Sequence, residues 1–475
     1  MPIKTKIIAT VGPASDNKEM LTSLINAGVN VFRLNFSHGT HDQHAKVIDT
    51  VAAINQELGT NIGILADLQG PKIRLGEVEN GQIELKTGST ITVTSIPMIS
   101  NSEKIYVSYQ GLATDMRRHE RILIDDGTIE LRVKEIANAT EVKAEVIYGG
   151  LVTNKKGVNL PDTTLEVPAL TPKDIADLEF ILSKRENPVN WIALSFVRTP
   201  EEIQQLKGMI RFKSHLAKVI AKIEKPEALQ NIDEIIKVSD AIMVARGDLG
   251  VEIPLERVPV LQKELIDKCI VAAKPVIIAT QMMESMIKKS MPTRAEVTDV
   301  ATAITEGTDA VMLSAETAIG KYPIQVIQTM VRVINTIEKQ NSIYNRKHKP
   351  STKSPTFLSD AVCYNACRIA ESVNAKVIIG MTLSGYTAFL LSSFRPNSNI
   401  YIFTKSRELL NSVSLIWGVK AFFYDSFVST DETISDVQEI LKKQGLIAQG
   451  DIVINTGSMP LHQRGRTNTI KVSRV

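Results

Sequence analysis

The chain has 475 residues with 43% hydrophobic and 23% charged content, enough for two or three domains with their own cores and unlike a disordered chain. A net charge of only +3 and 5% aromatic residues give no general argument for a nucleic-acid partner. Three cysteines, two of them Cys363 and Cys367 on an expected helix, cannot frame a secreted fold and lack the second pair a zinc site would want. The opening MPIKTKIIATVGP has lysines ahead of an apolar stretch far shorter than a signal-peptide core, and no later segment could span a bilayer. A cytoplasmic chain with no membrane contact is expected.

In chain order, apolar runs bounded by turn signals read as buried strands: KIIATVGP, VNVFRLNFSHG, IGILADLQGP, WIALSFVR, KVIAKIEKPE, AIMVARGDLG, PVIIATQMMES and AVMLSAETAIG. Between most of them lie stretches with helical apolar spacing, such as NKEMLTSLINAG, TPKDIADLEFILSKR and NIDEIIKVS. Eight strand and helix units predict an α/β fold, a (β/α)₈ TIM barrel over residues 1–70 and 168–345. The third unit is interrupted. Residues 71–167 switch to short alternating runs, GQIELKTGSTITVTS, ERILIDDGTIELRVKEI and EVKAEVIYGGLVT, which read as an inserted β-barrel-like lid domain. After the helix YPIQVIQTMVRVINTIEKQ, the polar NRKHKPSTKSP marks a linker. Residues 346–475 then alternate AKVIIGMTLSG, NIYIFTKS, KAFFYD and DIVINTG with helices, a C-terminal open α/β domain.

Active sites of such barrels form where the strands end, and polar residues gather there. Strand two ends with Arg33, Asn35 and Ser37 at period two, strand three with Asp67, strand five with Lys222 and Glu224, and strand six with Arg246, Gly247 and Asp248. Strand seven adds Thr280 and Gln281, and strand eight adds Ser314 and Glu316. Side chains two apart on a strand share a face, so Lys222 and Glu224 sit side by side. Carboxylates from adjacent strands, Glu224 and Asp248, suit Mg²⁺, a hard cation that keeps waters and bridges substrate oxygens. Lys222 beside them is a point cation suited to phosphate or a developing enolate. A structural Lys222–Glu224 pair without ligand is the alternative.

Other signals carry less. His38, His41 and His44 are spaced by three, but the first lies at a strand end and no carboxylate spacing supports a metal. The RGD within VARGDLG has no receptor in a cytosolic chain, and Gly320-Lys321 is no Walker loop because Tyr322 follows and Ala315 stands where the first glycine belongs.

Together FRLNFSHG, DLQGPKIR, AKIEKPE, ARGDLG, ATQMMESM, PTRAEVTDVATA and MLSAETAIGKYP resemble the pyruvate kinase family, in order along essentially the whole chain. The resemblance implies phosphoryl transfer from phosphoenolpyruvate to ADP with Mg²⁺, giving pyruvate and ATP in glycolysis. It implies that Arg33 and Arg74 contact the transferring phosphoryl group or nucleotide phosphates, with Asn35 and His38 also near the nucleotide. Lys222 would stabilise phosphoryl group and enolate, Glu224 and Asp248 would hold Mg²⁺, and a second Mg²⁺ would arrive with ADP. The Gly247 and Asp248 amides with the Thr280 hydroxyl would hold the substrate carboxylate, and water near Thr280 and Ser314 would bring the proton to the enolate. Two alternatives are another Mg²⁺-dependent barrel enzyme, such as a lyase acting on a 2-oxo acid, and an inactive regulatory paralogue.

Three finer expectations come from the same resemblance. Many relatives bind K⁺ near the positions of Asn35, Ser37, Asp67 and Leu68 and carry a Glu where this chain has Lys72, so the chain resembles a K⁺-independent branch. A homotetramer is expected. TLSGYT delivers Thr382, Ser384, Gly385 and Thr387 to the expected start of a helix, a phosphate cradle in form, with Arg464 or Arg466 of MPLHQRGRTN closing over it. Leu383 stands where bisphosphate-activated relatives often have a lysine, so a sugar monophosphate or AMP is the expected effector.

Overall fold

The computed structural model describes residues 3–165, 167–426, 429–459 and 466–475. Eight parallel strands close into a barrel: Lys6–Thr10, Val31–Asn35, Gly63–Asp67, Trp191–Leu194, Lys218–Ile223, Ala241–Ala245, Val276–Ala279 and Ala310–Leu313. Each strand is buried on both faces, which is why each reads as an unbroken apolar run.

The period-two alternation of strands sorts these residues into two cores. Ile8, Val31, Leu65, Trp191, Ile220 and Met243 fill the barrel interior, while their neighbours Ile7, Phe32, Ile64, Ile192, Val219 and Ile242 pack outward among the helices. Continuing the inward series toward the strand ends gives Arg33 after Val31, Asp67 after Leu65, Ser195 after Ala193, and Lys222 then Glu224 after Ile220. The polar mouth is thus the top layer of the same stack that forms the apolar core. Leu415 of the C-terminal region joins that interior stack, and Phe389 packs against it.

The inserted region leaves after strand three and folds as a six-stranded sheet with a separate two-stranded pair, Gln82–Leu85 with Gly150–Thr153. Its exit is pinned at Gly70, whose φ of 69° is open to glycine and whose added Cβ would lie 2.9 Å from both Ser195 and Phe196. The Gly70 amide donates to Asp174 at 3.1 Å, within the capping box that starts helix Pro172–Ser183. At the return, Arg198 donates to the carbonyls of Leu165 and Val167 at 2.6 and 2.5 Å and is held by Glu202 at 2.8 Å.

The C-terminal region is a five-stranded sheet, parallel except for its last strand Thr469–Arg474. It is joined to the barrel floor by the buried pair Arg395–Asp309 at 2.8 Å. Lys4 adds hydrogen bonds to the carbonyls of Pro396, Asn397 and Ser398 at 3.0, 2.7 and 2.9 Å. Cys269, Cys363 and Cys367 are buried free thiols. Among the described residues no helix is long and apolar enough to cross a membrane.

Candidate active site

At the mouth, Lys222 is the hub. Its Nζ lies 2.7 Å from Ser195 Oγ, 3.0 Å from Glu224 Oε1 and 3.2 Å from Asp67 Oδ1, with the lysine side chain 12% exposed and both carboxylates 1%. Asp67 is shared: Arg33 donates to it through Nε and Nη2, each at 2.7 Å, and through Nη1 to Thr10 at 3.0 Å. Glu224 Oε2 accepts the Phe196 amide at 2.7 Å. The expected adjacency of Lys222 and Glu224 is therefore present, within a larger network.

The charges explain each other. Burial pushes the Lys222 ammonium toward neutrality, yet Asp67 and Glu224 more than offset it and hold its pKa well above the ordinary range. Burial would raise the Asp67 pKa, but Lys222 and Arg33 bring it below the usual value. Glu224 goes the other way. Burial raises its pKa, Lys222 opposes, and the nearby Asp248 carboxylate reinforces the rise. Glu224 beside Lys222 and Asp248 beside Lys72 are carboxylate oxygens, the hard donor type that Mg²⁺ takes, so the pair fits that ion. Among the described residues, no group of three or more His, Cys, Asp or Glu is arranged to hold a metal ion.

Strand six stops at Ala245, so Arg246, Gly247 and Asp248 open the short helix Arg246–Glu252 and do not continue the strand. This presents the Gly247 amide to Thr280 Oγ1 at 2.8 Å, and a Cβ on Gly247 would come 3.2 Å from that oxygen. Thr280 and Gln281 hold φ values of 69° and 55°. Such backbone persists only where its surroundings enforce it. Arg246 does so, donating to the Thr280 carbonyl at 3.0 Å while Asp299 fixes it at 2.6 Å. Ser314 follows strand eight, its amide donating to the buried Glu316 at 2.7 Å.

Cations gather on the other side of the mouth. Burial lowers the His38 pKa, and Arg74, Arg33, Lys72 and Lys173 lower it further. Four cations around one half-exposed imidazole make an anion-attracting rim. Arg74 lies on the edge of the inserted domain, donating to the Lys155 carbonyl at 3.1 Å. Asn35 accepts the Ser37 amide at 3.1 Å, and the Leu68 carbonyl accepts Ser195 Oγ at 2.7 Å. Lys72 pairs with Asp248 at 3.4 Å. His41 pairs with Asp177 at 2.7 Å, and His44 reaches the His38 carbonyl at 3.0 Å.

Sequence reasoning missed Ser195 and Phe196. Ser195 follows WIAL at an inward position, and a hydroxyl closing an apolar run was the available signal.

In the C-terminal region, Gly385 donates its amide to Thr382 Oγ1 at 3.1 Å ahead of helix Tyr386–Ser393. Thr387 and Thr467 share a hydroxyl hydrogen bond at 2.7 Å, and Ser384 is exposed. Arg466 donates to the Pro355 carbonyl at 2.5 Å, and Arg464 lies outside the described residues.

Comparison with known proteins bears on both regions. The family description "Pyruvate kinase, barrel domain" matches residues 3–327, and "Pyruvate kinase, alpha/beta domain" matches 360–473. "Pyruvate kinase 2" of Synechocystis is 42% identical over 478 residues, covering 100% of this chain and 80% of that protein. "Pyruvate kinase" of Staphylococcus aureus strain MRSA252 is 42% identical over 474 residues, covering 99% of this chain and 80% of the relative. A crystal structure of a pyruvate kinase from Cryptosporidium parvum superposes with a TM-score of 0.91 at 37% identity, covering 100% of this chain and 96% of that one.

Proposed function

The chain belongs to the pyruvate kinase family, phosphotransferases that use phosphoenolpyruvate and ADP in glycolysis, and from that premise we propose how its mouth performs the transfer. The observation that carries the proposal is the buried Lys222 ammonium, held by Ser195, Glu224 and Asp67 within 3.2 Å beside a cationic rim. Transfer through a loose transition state needs positioning and charge neutralisation more than covalent help.

Lys222 faces the phosphoryl group and the developing enolate, its charge and direction fixed by its two carboxylate partners. Arg33, locked by Asp67 and Thr10, receives phosphoryl oxygens from the second strand, and Arg74 reaches them from the inserted domain. Asn35 and His38 line the nucleotide side. The Gly247 and Asp248 amides and the Thr280 hydroxyl take the substrate carboxylate, the substrate replacing the present Gly247 to Thr280 bond. Thr280 and Ser314 border the water that protonates the enolate. Glu224 and Asp248 would hold Mg²⁺, which would neutralise oxygen charge on the substrate, and a second Mg²⁺ would accompany ADP.

The same reading covers Lys72. Its ammonium supplies one positive charge beside Asp248, and that charge stands in for the K⁺ that K⁺-requiring relatives bind near the positions of Asn35, Ser37, Asp67 and Leu68. K⁺ is then dispensable, and Lys72→Glu makes the enzyme K⁺-responsive. The division into 1–70 with 168–345, 71–167 and 346–475 assigns catalysis to the first, a lid to the second and regulation to the third. Thr382, Ser384, Gly385 and Thr387, with Arg464 and Arg466, take the phosphate of a sugar monophosphate or AMP, and the chains assemble as a homotetramer.

A coupled assay of pyruvate and ATP formation tests the reading. Activity should need Mg²⁺, persist when K⁺ is replaced by tetramethylammonium, and respond at low phosphoenolpyruvate to ribose 5-phosphate, glucose 6-phosphate or AMP. Loss of most activity without K⁺, or a response to fructose 1,6-bisphosphate alone, contradicts the corresponding part.

A further inference from the structure

A second buried ion pair lies beside the first and shares none of its atoms. Lys225, the residue after Glu224, places Nζ 2.8 Å from Glu252 Oε1, with side chains 9% and 1% exposed. The same oxygen accepts Asn159 Nδ2 at 2.7 Å, while Oε2 of Glu252 has no hydrogen-bond partner among the described residues. Three chain segments meet at one oxygen. Glu252 closes the helix that opens with Arg246, Gly247 and Asp248, Lys225 follows Glu224, and Asn159 belongs to strand Val158–Asn159 of the inserted domain.

The Asn159 strand is tied to Arg74. Arg74 bridges Gly157 in antiparallel register, and the Val158 amide donates to the Ile73 carbonyl at 3.0 Å. A displacement of residues 157–159 therefore carries Arg74 with it. The exits of the insert are pinned elsewhere, at Gly70 and by Arg198, so they fix where the chain leaves the barrel and leave the sheet's placement over the mouth to other contacts. The Asn159 to Glu252 bond supplies one directly from the inserted sheet to the helix bearing Asp248. It is also stiff at its barrel end, because an ammonium and a carboxylate removed from water hold each other in one geometry.

We propose that Asn159, Glu252 and Lys225 are positioning residues that set Arg74 of the inserted domain in register with Glu224 and Asp248. The inference rests on the site reading above, in which Arg74 reaches the transferring phosphoryl oxygens from the inserted domain. It follows that Asn159 acts on the reaction through Arg74 and has little effect once Arg74 is gone.

The test is a double-mutant cycle on the full-length enzyme, reading kcat/KM for ADP with the thermal midpoint of each variant. Asn159→Ala is expected to lower kcat/KM about tenfold, as a misplaced positioning contact does. Arg74→Ala lowers it further, and the double variant matches Arg74→Ala alone. Asn159→Asp sets a carboxylate against Glu252 and should cost more than Asn159→Ala. Asn159→Ala with wild-type kcat/KM overturns this inference alone. So do losses that multiply in the double variant, or an Asn159→Asp loss no larger than that of Asn159→Ala. Arg74→Ala with wild-type kcat/KM contradicts the role given to Arg74, and this inference with it.

Discussion

The barrel mouth and the TLSGYT loop are both read as phosphate sites, yet they are built from different materials. At the mouth, Arg33, Lys222, Asp67 and Glu224 form a continuous buried network in which every charge has a partner. In the loop the contacts are between neutral groups, the Gly385 amide with the Thr382 hydroxyl and the Thr387 hydroxyl with that of Thr467, around an exposed Ser384. The difference matches the tasks proposed for them. Stabilising charge that develops in a transition state needs dipoles and ions fixed beforehand. A regulatory ligand needs only to bind one state better than another, which weaker and more open contacts can supply.

The contrast can be broken most sharply at the mouth. Glu224→Gln removes a proposed Mg²⁺ ligand and one of two carboxylates facing Lys222, and kcat/KM should fall about a thousandfold in initial-rate assays across Mg²⁺ concentrations. Asp67→Asn leaves Arg33 without an anionic partner and Lys222 with Glu224 alone. Its kcat/KM should fall about tenfold to a hundredfold, and the thermal midpoint should drop too, because breaking a buried pair costs about 3–5 kcal/mol.

The loop should yield smaller effects of another kind. Ser384→Asp places a negative charge where a phosphate would sit, and should remove the effector's several-fold lowering of half-saturation for phosphoenolpyruvate, a shift of about 1 kcal/mol in coupling. An unchanged effector response would reject the site.

The smallest effect concerns the barrel to C-terminal junction. His348 stacks on Phe394 at 4.7 Å between centroids, and burial, with Arg395 and Arg346 nearby, lowers its pKa from 6.5 to about 4. Between those values the unfolded chain takes up a proton that the folded chain refuses, so this contribution is present above pH 6.5 and is lost as pH falls toward 4. Melting curves over that window should be flatter for His348→Phe than for the wild type.

How much of this was legible follows from the physics of each element. Parallel strands buried on both faces announce themselves as apolar runs, so all eight barrel strands could be placed, with polar residues read at the ends of six. The strands Lys104–Tyr106 and Val158–Asn159 were too short to show alternation, and Thr469–Arg474, TIKVSR, is mostly polar and has no buried residue. Lys222 and Glu224 were readable as neighbours because two residues on one strand share a face. The sharing of Asp67 between Arg33 and Lys222 was not, because it depends on packing across four strands. Nor could the left-handed backbone at Thr280 and Gln281 be read, since neither is a glycine and the conformation is imposed by Arg246. The pairing of Lys72 with Asp248 likewise depends on how the inserted domain folds back over the mouth.

The central claim is that the Lys222 network is the catalytic centre, and the turnover of Lys222→Met tests it most directly. Measured in the coupled assay at saturating phosphoenolpyruvate, ADP and Mg²⁺, with metal binding followed in parallel, the variant should lose about a hundredfold to a thousandfold or more in kcat and keep most of its Mg²⁺ affinity. A folded Lys222→Met enzyme turning over near the wild-type rate would contradict the account.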